Sequence, residues 1–281
     1  MNGWIDAHVH VWQEHEQIWV RNRVGALAGA FPIEQLESLT RAHGITKVIV
    51  VQAAQTAQEN QRCLQLCAQN SFVAGVVGWL DVLSPRVDSE LIDLCRTPGL
   101  VGVRPLPANT FQSGWWRSTA LWRSLDALQH HGLAVDVLPM PDELGDIADA
   151  ARAFAQLRIV LNHGGRPQLQ CARLDDWRRQ IEPLGAYAHV YCKCSGLLER
   201  AGLEWTAQGV LPYIRVLLDV FGAERVMFGS NWPVLQLAAN YKAWFALVQD
   251  AVATLGLSRS DIDAVMGRTA SRCYALPRQD S

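Results

Sequence analysis

Trp4-Ile5-Asp6-Ala7-His8-Val9-His10-Val11-Trp12 stands almost at the start of this 281-residue chain, an apolar run in which one valine separates two histidines. Along an extended strand the side chains alternate between faces, so His8 and His10 point one way and Ala7, Val9 and Val11 the other. Two imidazoles thereby converge on one spot. An aliphatic, β-branched strand so early suits the first buried strand of a parallel sheet, which is a stiff mount for ring nitrogens. Such a pair either satisfies backbone carbonyls or acts on a metal or a substrate. The His-x-His spacing at the end of an apolar strand favours the second.

From this strand outward, the pattern alternates. A polar loop of about residues 12–30 carries Trp12 and Trp19, and an amphipathic segment 33–43 follows, ending at Gly44 as a helix C-cap does. Apolar runs then predict strands at 47–52, 72–80, 100–104, 133–138, 158–163, 189–194 and 225–230. Helical periodicity predicts helices at 57–69, 85–96, 119–131, 142–156, 173–184 and 206–221, with two more near 239–254 and 259–274, and Ser84-Pro85 reads as cap and first turn of the 85–96 helix. Eight strands each followed by a helix, with no linker between them, predict one α/β domain spanning 1–281, a distorted (β/α)8 TIM barrel at the usual size of ~250 residues. A doubly wound open sheet is the alternative, but the glycine-rich phosphate turn is missing after the first strand.

The totals fit an ordinary globular chain. Hydrophobic residues make up 49% and charged residues 19%, and a net charge of −2 gives no reason to expect nucleic acid or anionic membrane as a partner. Seven cysteines, an odd number without paired Cys-x-x-Cys sets, predict reduced thiols in the cytoplasm, with Cys63 and Cys67 as small core residues. Neither a basic, apolar leader nor an uninterrupted apolar run of ~18 residues is present, so neither export nor membrane spanning is expected.

In a barrel, chemistry sits where the strands end. The predicted strands deliver His8 and His10, then Gln52, Trp79 with Asp81, Arg104, Asp136, Asn162-His163, Lys193 with Ser195, and Ser230-Asn231-Trp232. His163, before Gly164-Gly165, is the strongest addition to the opening pair. Lys193 alternates with Cys192 and Cys194, so cysteines facing the helices would leave its ammonium facing the mouth. Asp136 is as well read as pinning a neighbouring arginine inside the barrel. Trp12, Trp79, Trp115, Trp116 and Trp232 are either packing or aromatic faces for a flat or sugar-like ligand. His43, His130 and His131 lie at helix ends and complement the dipole.

These stretches, together with Val73 to Trp79, Asn162 to Pro167, Val190 to Leu197 and Met227 to Val234, resemble in order the amidohydrolase superfamily. The resemblance is to its amidohydrolase-2 branch of lactone hydrolases, of the L-fuconolactonase kind and more distantly the pyrone-dicarboxylate lactonases, and covers residue 5 to about 276. It implies hydrolysis of a cyclic ester with His8, His10 and His163 around the reacting centre; joined to the strand-end reading, the expectation is a sugar-acid lactonase in which Asn231 completes the catalytic set by orienting the water and Gln52, Trp79, Arg104, Lys193 and Trp232 meet the substrate. His8, His10 and His163 would hold a zinc ion in those branches that bind one, while others need no metal. The chain departs from the pattern at two points: the last strand of the family ends Gly-Ser-Asp-Trp-Pro, and here that aspartate, the general base, is Asn231, and residue 162 is Asn where an acidic residue commonly precedes the histidine. An amide accepts no proton at neutral pH, and a lost general base removes about 10² to 10⁴ in rate. A histidine or a metal-bound hydroxide as base, a weak or non-hydrolytic relative that only binds a sugar or aromatic acid, and an altered, inactive variant all remain open. A metal-dependent decarboxylase of an aromatic acid is a further alternative from the same barrel.

Overall fold

The computed structural model describes residues 3–14, 25–106, 115–171 and 173–277, and within them the predicted alternation is present. Eight parallel strands run in chain order: β1 (Trp4–Val9), β2 (Ile45–Val51), β3 (Val73–Leu80), β4 (Leu100–Pro105), β5 (Ala134–Val137), β6 (Ile159–Leu161), β7 (Val190–Cys194) and β8 (Val226–Phe228). The helices between them are α1 (Ile33–Thr40), α2 (Ala57–Gln69), α3 (Val87–Cys95), α4 (Thr119–His130), α5 (Leu144–Ala153), α6 (Leu174–Gly185), α7 (Leu197–Ala201) and α8 (Ala207–Phe221). After β8 come α9 (Tyr241–Thr254), α10 (Arg259–Asp263) and α11 (Thr269–Cys273).

Closure joins the first strand to the segment after the last. The His10 N–H donates to the Trp232 carbonyl at 2.7 Å and the Asn231 N–H to the His8 carbonyl at 2.8 Å. The ring is sealed by the same residues that carry the candidate chemistry. Beneath this seam Asp6 is fully buried, its Oδ1 accepting the backbone N–H of His8 and of Ser230 and its Oδ2 the Tyr241 hydroxyl. Burial outweighs these donors and pushes its carboxyl up to about 6.

Capping follows local chemistry where Thr56, Ser118, Thr206, Asn240 and Ser258 accept a backbone N–H of the first turn of α2, α4, α8, α9 and α10. The 85–96 helix begins instead at Val87, and Ser84 accepts the Arg86 N–H in the turn before it. All seven cysteines are free thiols. Residues 15–24 of the predicted loop, including Trp19, lie outside the described residues.

Two apolar layers result. The larger fills the space between sheet and helices and includes Val9, Val11, Cys192 and Cys194, whereas Ile5, Ala7, Ile49, Val51, Val77, Val160 and Met227 fill the ring itself, closed below by Tyr274. Ala7 therefore faces inward, contrary to strict alternation. The register of β1 against β2 shifts between Asp6 and Val9, so inward positions run 5, 7 and then 8, 10. The irregularity adds both imidazoles to a strand whose earlier inward residues are apolar. At the opposite end of the ring a hollow of about 890 Å³, lined by Trp4, Lys47, Arg259 and Arg268 among others, contains none of the histidines.

Candidate active site

Three imidazoles meet where β1 and β6 end. His8 and His10 stand with their Nε2 atoms 3.2 Å apart, and the His163 ring lies with its centroid 4.5 Å from that of His8. His163 takes a left-handed backbone at φ 54°, in a turn formed with Gly164 and Gly165. Its Nδ1 lies 2.8 Å from the Ser195 hydroxyl. Its ring rests on Gly196, where a β-carbon would come within 2.7 Å of the ring and where φ is 63°. Gly196→Ala is therefore expected to lose about 1–2 kcal/mol from the left-handed backbone alone, readable as a urea midpoint shift, and to displace the His163 ring signals in an NMR spectrum.

The hydrogen bonds assign the protons. His10 Nδ1 faces the Val51 carbonyl at 2.8 Å and must carry a proton, which leaves its Nε2 as an acceptor. His8 Nε2–H fills that role, and His8 Nδ1 then accepts from the Lys193 ammonium at 3.3 Å. Lys193 in turn donates to Asp136 Oδ2 at 2.6 Å, and the Tyr274 hydroxyl donates to Oδ1 at 2.8 Å. A continuous chain thus runs from the rim into the barrel floor. Burial and the nearby cations lower all three imidazoles: His10 to about 3, by burial and Arg104, and His8 and His163 well below the usual range, by burial first and then Lys193 and Arg104 respectively. They are neutral at pH 7.

Lys193 does point inward as alternation requires, but it is fully enclosed and paired with Asp136. Asp136 pins a lysine, not an arginine. Arg104 is buried too; it donates to the Gln52 carbonyl at 2.6 Å, and its burial lowers it to about 10. Its Nε, both side-chain polar atoms of Gln52 and both of Asn162 are buried without a hydrogen-bond partner among the described residues. Of the tryptophans, Trp79 donates to the Leu106 carbonyl at 2.9 Å and Trp232 is wholly enclosed, edge-on to Phe31. Trp12 is likewise enclosed and donates to the Gly29 carbonyl, while Trp115 and Trp116 are buried against each other.

One functional candidate escapes the sequence reading. Asn231, at φ 58°, donates its amide Nδ2 to Glu199 Oε1 at 2.7 Å. Glu199 lies on α7, the short helix that the periodicity misses. Its other oxygen is buried and without a partner among the described residues, and burial lifts its carboxyl to about 7. A carboxylate five residues beyond β7, in a chain lacking one at 231, was the available signal.

The donor set accommodates zinc only in part. Two Nε2 atoms 3.2 Å apart suit two corners of a tetrahedron with bonds of about 2.0–2.1 Å, and the Val51 carbonyl on His10 is the outer partner that such a ligand uses. The rest does not fit: His8 has a cation on its other nitrogen, residue 231 offers an amide, and no group of three or more His, Cys, Asp or Glu able to hold an ion occurs among the described residues.

The amidohydrolase family model matches residues 5–276. The chain belongs to the amidohydrolase family. This amidohydrolase is 35% identical over 247 residues to an L-fucono-1,5-lactonase from Burkholderia ambifaria, covering 86% of the chain and 85% of the relative. It is 33% identical over 289 residues to an L-fucono-1,5-lactonase from Burkholderia multivorans, covering 97% and 96%. A crystal structure of an amidohydrolase from Burkholderia multivorans with bound zinc superposes with a TM-score of 0.88 at 32% identity, covering 98% of this chain and 99% of that one. Among the described residues no helix is long and apolar enough to cross a membrane.

Proposed function

We propose that this amidohydrolase opens the ring of a sugar-acid lactone by attack of water on the ring carbonyl. The observation that carries the reading is the set of unused hydrogen-bonding atoms on Gln52, Arg104 and Asn162, at the ends of β2, β4 and β6 beside three neutral imidazoles. Each such buried atom costs about 1–3 kcal/mol if left alone, and a polyhydroxylated ring brings donors and acceptors for all of them. The names of the two lactonase relatives support the same substrate class.

In this reading Arg104 is the positive donor for the oxygen that gains charge as the carbonyl carbon becomes tetrahedral. His163, partly exposed and steadied by Ser195, faces the reacting ring, and His8 and His10 pass protons at the rim. Lys193, proposed from the sequence as a substrate ligand, instead holds His8 neutral from below. Trp79 and Trp232 support the wall of the site. With a cation on the second nitrogen of His8 and an amide at residue 231, this chain's own side chains carry each step. Purified protein incubated with a panel of sugar-acid lactones is expected to release acid, followed with a pH indicator, at a rate that a chelator leaves unchanged. A panel with no lactone opened would end the reading.

Asn231 favours a second one, a barrel that binds a sugar acid without turning it over. Titration calorimetry showing saturable binding of hydroxy acids, with no acid release from any lactone, is the outcome that would select it.

A further inference from the structure

The reaction needs a group that takes a proton from water, and two of the three imidazoles are poorly placed to be that group. His8 and His10 spend their nitrogens on each other, on Lys193 and on the Val51 carbonyl. Asn231 has no lone pair basic enough. Its amide nevertheless has a defined arrangement: the backbone N–H is fixed on the His8 carbonyl, and the side-chain Nδ2 reaches 2.7 Å to Glu199 Oε1. The amide thus links the histidine strand to a carboxylate carried by α7.

Glu199 has the properties of a reserved acceptor. One oxygen is held by Asn231, and the other is enclosed without a donor among the described residues. A carboxylate oxygen enclosed without a donor is costly, and the O–H of a water satisfies it. The elements packed against α7 bring little charge to it. The turn Leu169–Cys171 offers the exposed Cys171 thiol and the turn Val234–Leu237 no ionisable group. Tyr213 of α8 lies on Trp177, and Arg200 reaches the Pro167 carbonyl at 3.3 Å. The near-neutral carboxyl therefore reflects enclosure, offset by its own backbone N–H and Asn231.

We propose that Glu199 is the general base of this enzyme, taking over at α7 the carboxylate role that residue 231 cannot fill, with Asn231 aiming it. The proposal rests on the lactonase reading above. As the water oxygen bonds to the lactone carbonyl carbon, the Glu199 carboxylate takes one of its protons. This leaves a tetrahedral oxyanion and a neutral Glu199. Collapse of the oxyanion breaks the bond from carbon to ring oxygen, and the Glu199 proton passes to that oxygen, which leaves as a hydroxyl. The hydroxy acid ionises, releases one proton to solvent, and Glu199 is again a carboxylate.

The test is Glu199→Gln, because a glutamine oxygen still accepts from Asn231 and so preserves a merely structural contact. The expected result is a fall in kcat of about 10² to 10⁴ with KM little changed. In wild type the rate should rise with pH through about 7, because the carboxyl accepts a proton only once ionised. That limb should vanish in E199Q. Adding Asn231→Asp to E199Q should recover roughly tenfold or more, by restoring a base at 231. An E199Q rate within about threefold of wild type overturns the proposal alone. A loss that N231D does not recover, in a variant with native circular dichroism, makes Glu199 a positioning residue and also overturns it. If E199Q does not fold, Glu199→Asp keeps the charge, and its loss of the pH limb counts equally against the proposal. Wild type that opens no lactone overturns both this proposal and the reading beneath it.

Discussion

Lys193→Met should lower the unfolding free energy by about 3–5 kcal/mol, the usual cost of leaving one member of a buried ion pair alone. Lys193 and Asp136 are both fully enclosed and 2.6 Å apart, and the remaining partner of Asp136 is the Tyr274 hydroxyl. Methionine fills much of the lysine volume but leaves the carboxylate without its cation. If that explanation is right, the double variant Lys193→Met/Asp136→Asn should be more stable than Lys193→Met, since the stranded charge has gone. Equal stability in urea would refute it. The single variant should also bring His8 back toward its ordinary range, because the ammonium is the largest of the charges that hold it down. An NMR titration of the His8 ring reads this directly.

Arg104→Met should cost about 10² to 10³ in kcat/KM, close to what the loss of one oxyanion donor takes from other hydrolases. The guanidinium is a cation with an unused N–H among the described buried groups at this rim, and burial keeps its surroundings low in dielectric. The variant also uncovers the Gln52 carbonyl that Arg104 now satisfies, so some loss of stability accompanies it. The two effects separate in the kinetics. A donor used in the transition state lowers kcat and kcat/KM together, whereas a loosened site raises KM. Unaltered kcat would remove Arg104 from the chemistry.

Periodicity served well wherever an element was long and one-sided. The 57–69 helix coincides with α2, and the strand ends lie within a few residues of expectation. It failed where the signal was shorter than its own period. α7 has five residues between Gly196 and Gly202, too few for a 3.6-residue pattern, and so Glu199 went unnoticed. Alternation along β1 placed His8 and His10 together but misplaced Ala7, because a register shift is set by the neighbouring strand and leaves no trace in the residues themselves. Lys193 illustrates a different limit. Its inward direction is local information, whereas its partner Asp136 is 57 positions away and only the closed ring makes them neighbours. The tryptophans show a third limit, since an indole suited to a sugar face is equally suited to filling a wall.

The seam between β1 and the segment after β8 governs when this protein can first work. Asp6 and the Ser230 N–H it grips are 224 positions apart, so the contact forms only after nearly all of the chain has been synthesised. A ribosome-bound fragment ending before residue 226 possesses His8, His10, His163 and Glu199 but no frame to hold them in register. Activity should therefore switch on abruptly during synthesis, at the arrival of the final strand, instead of accumulating with chain length.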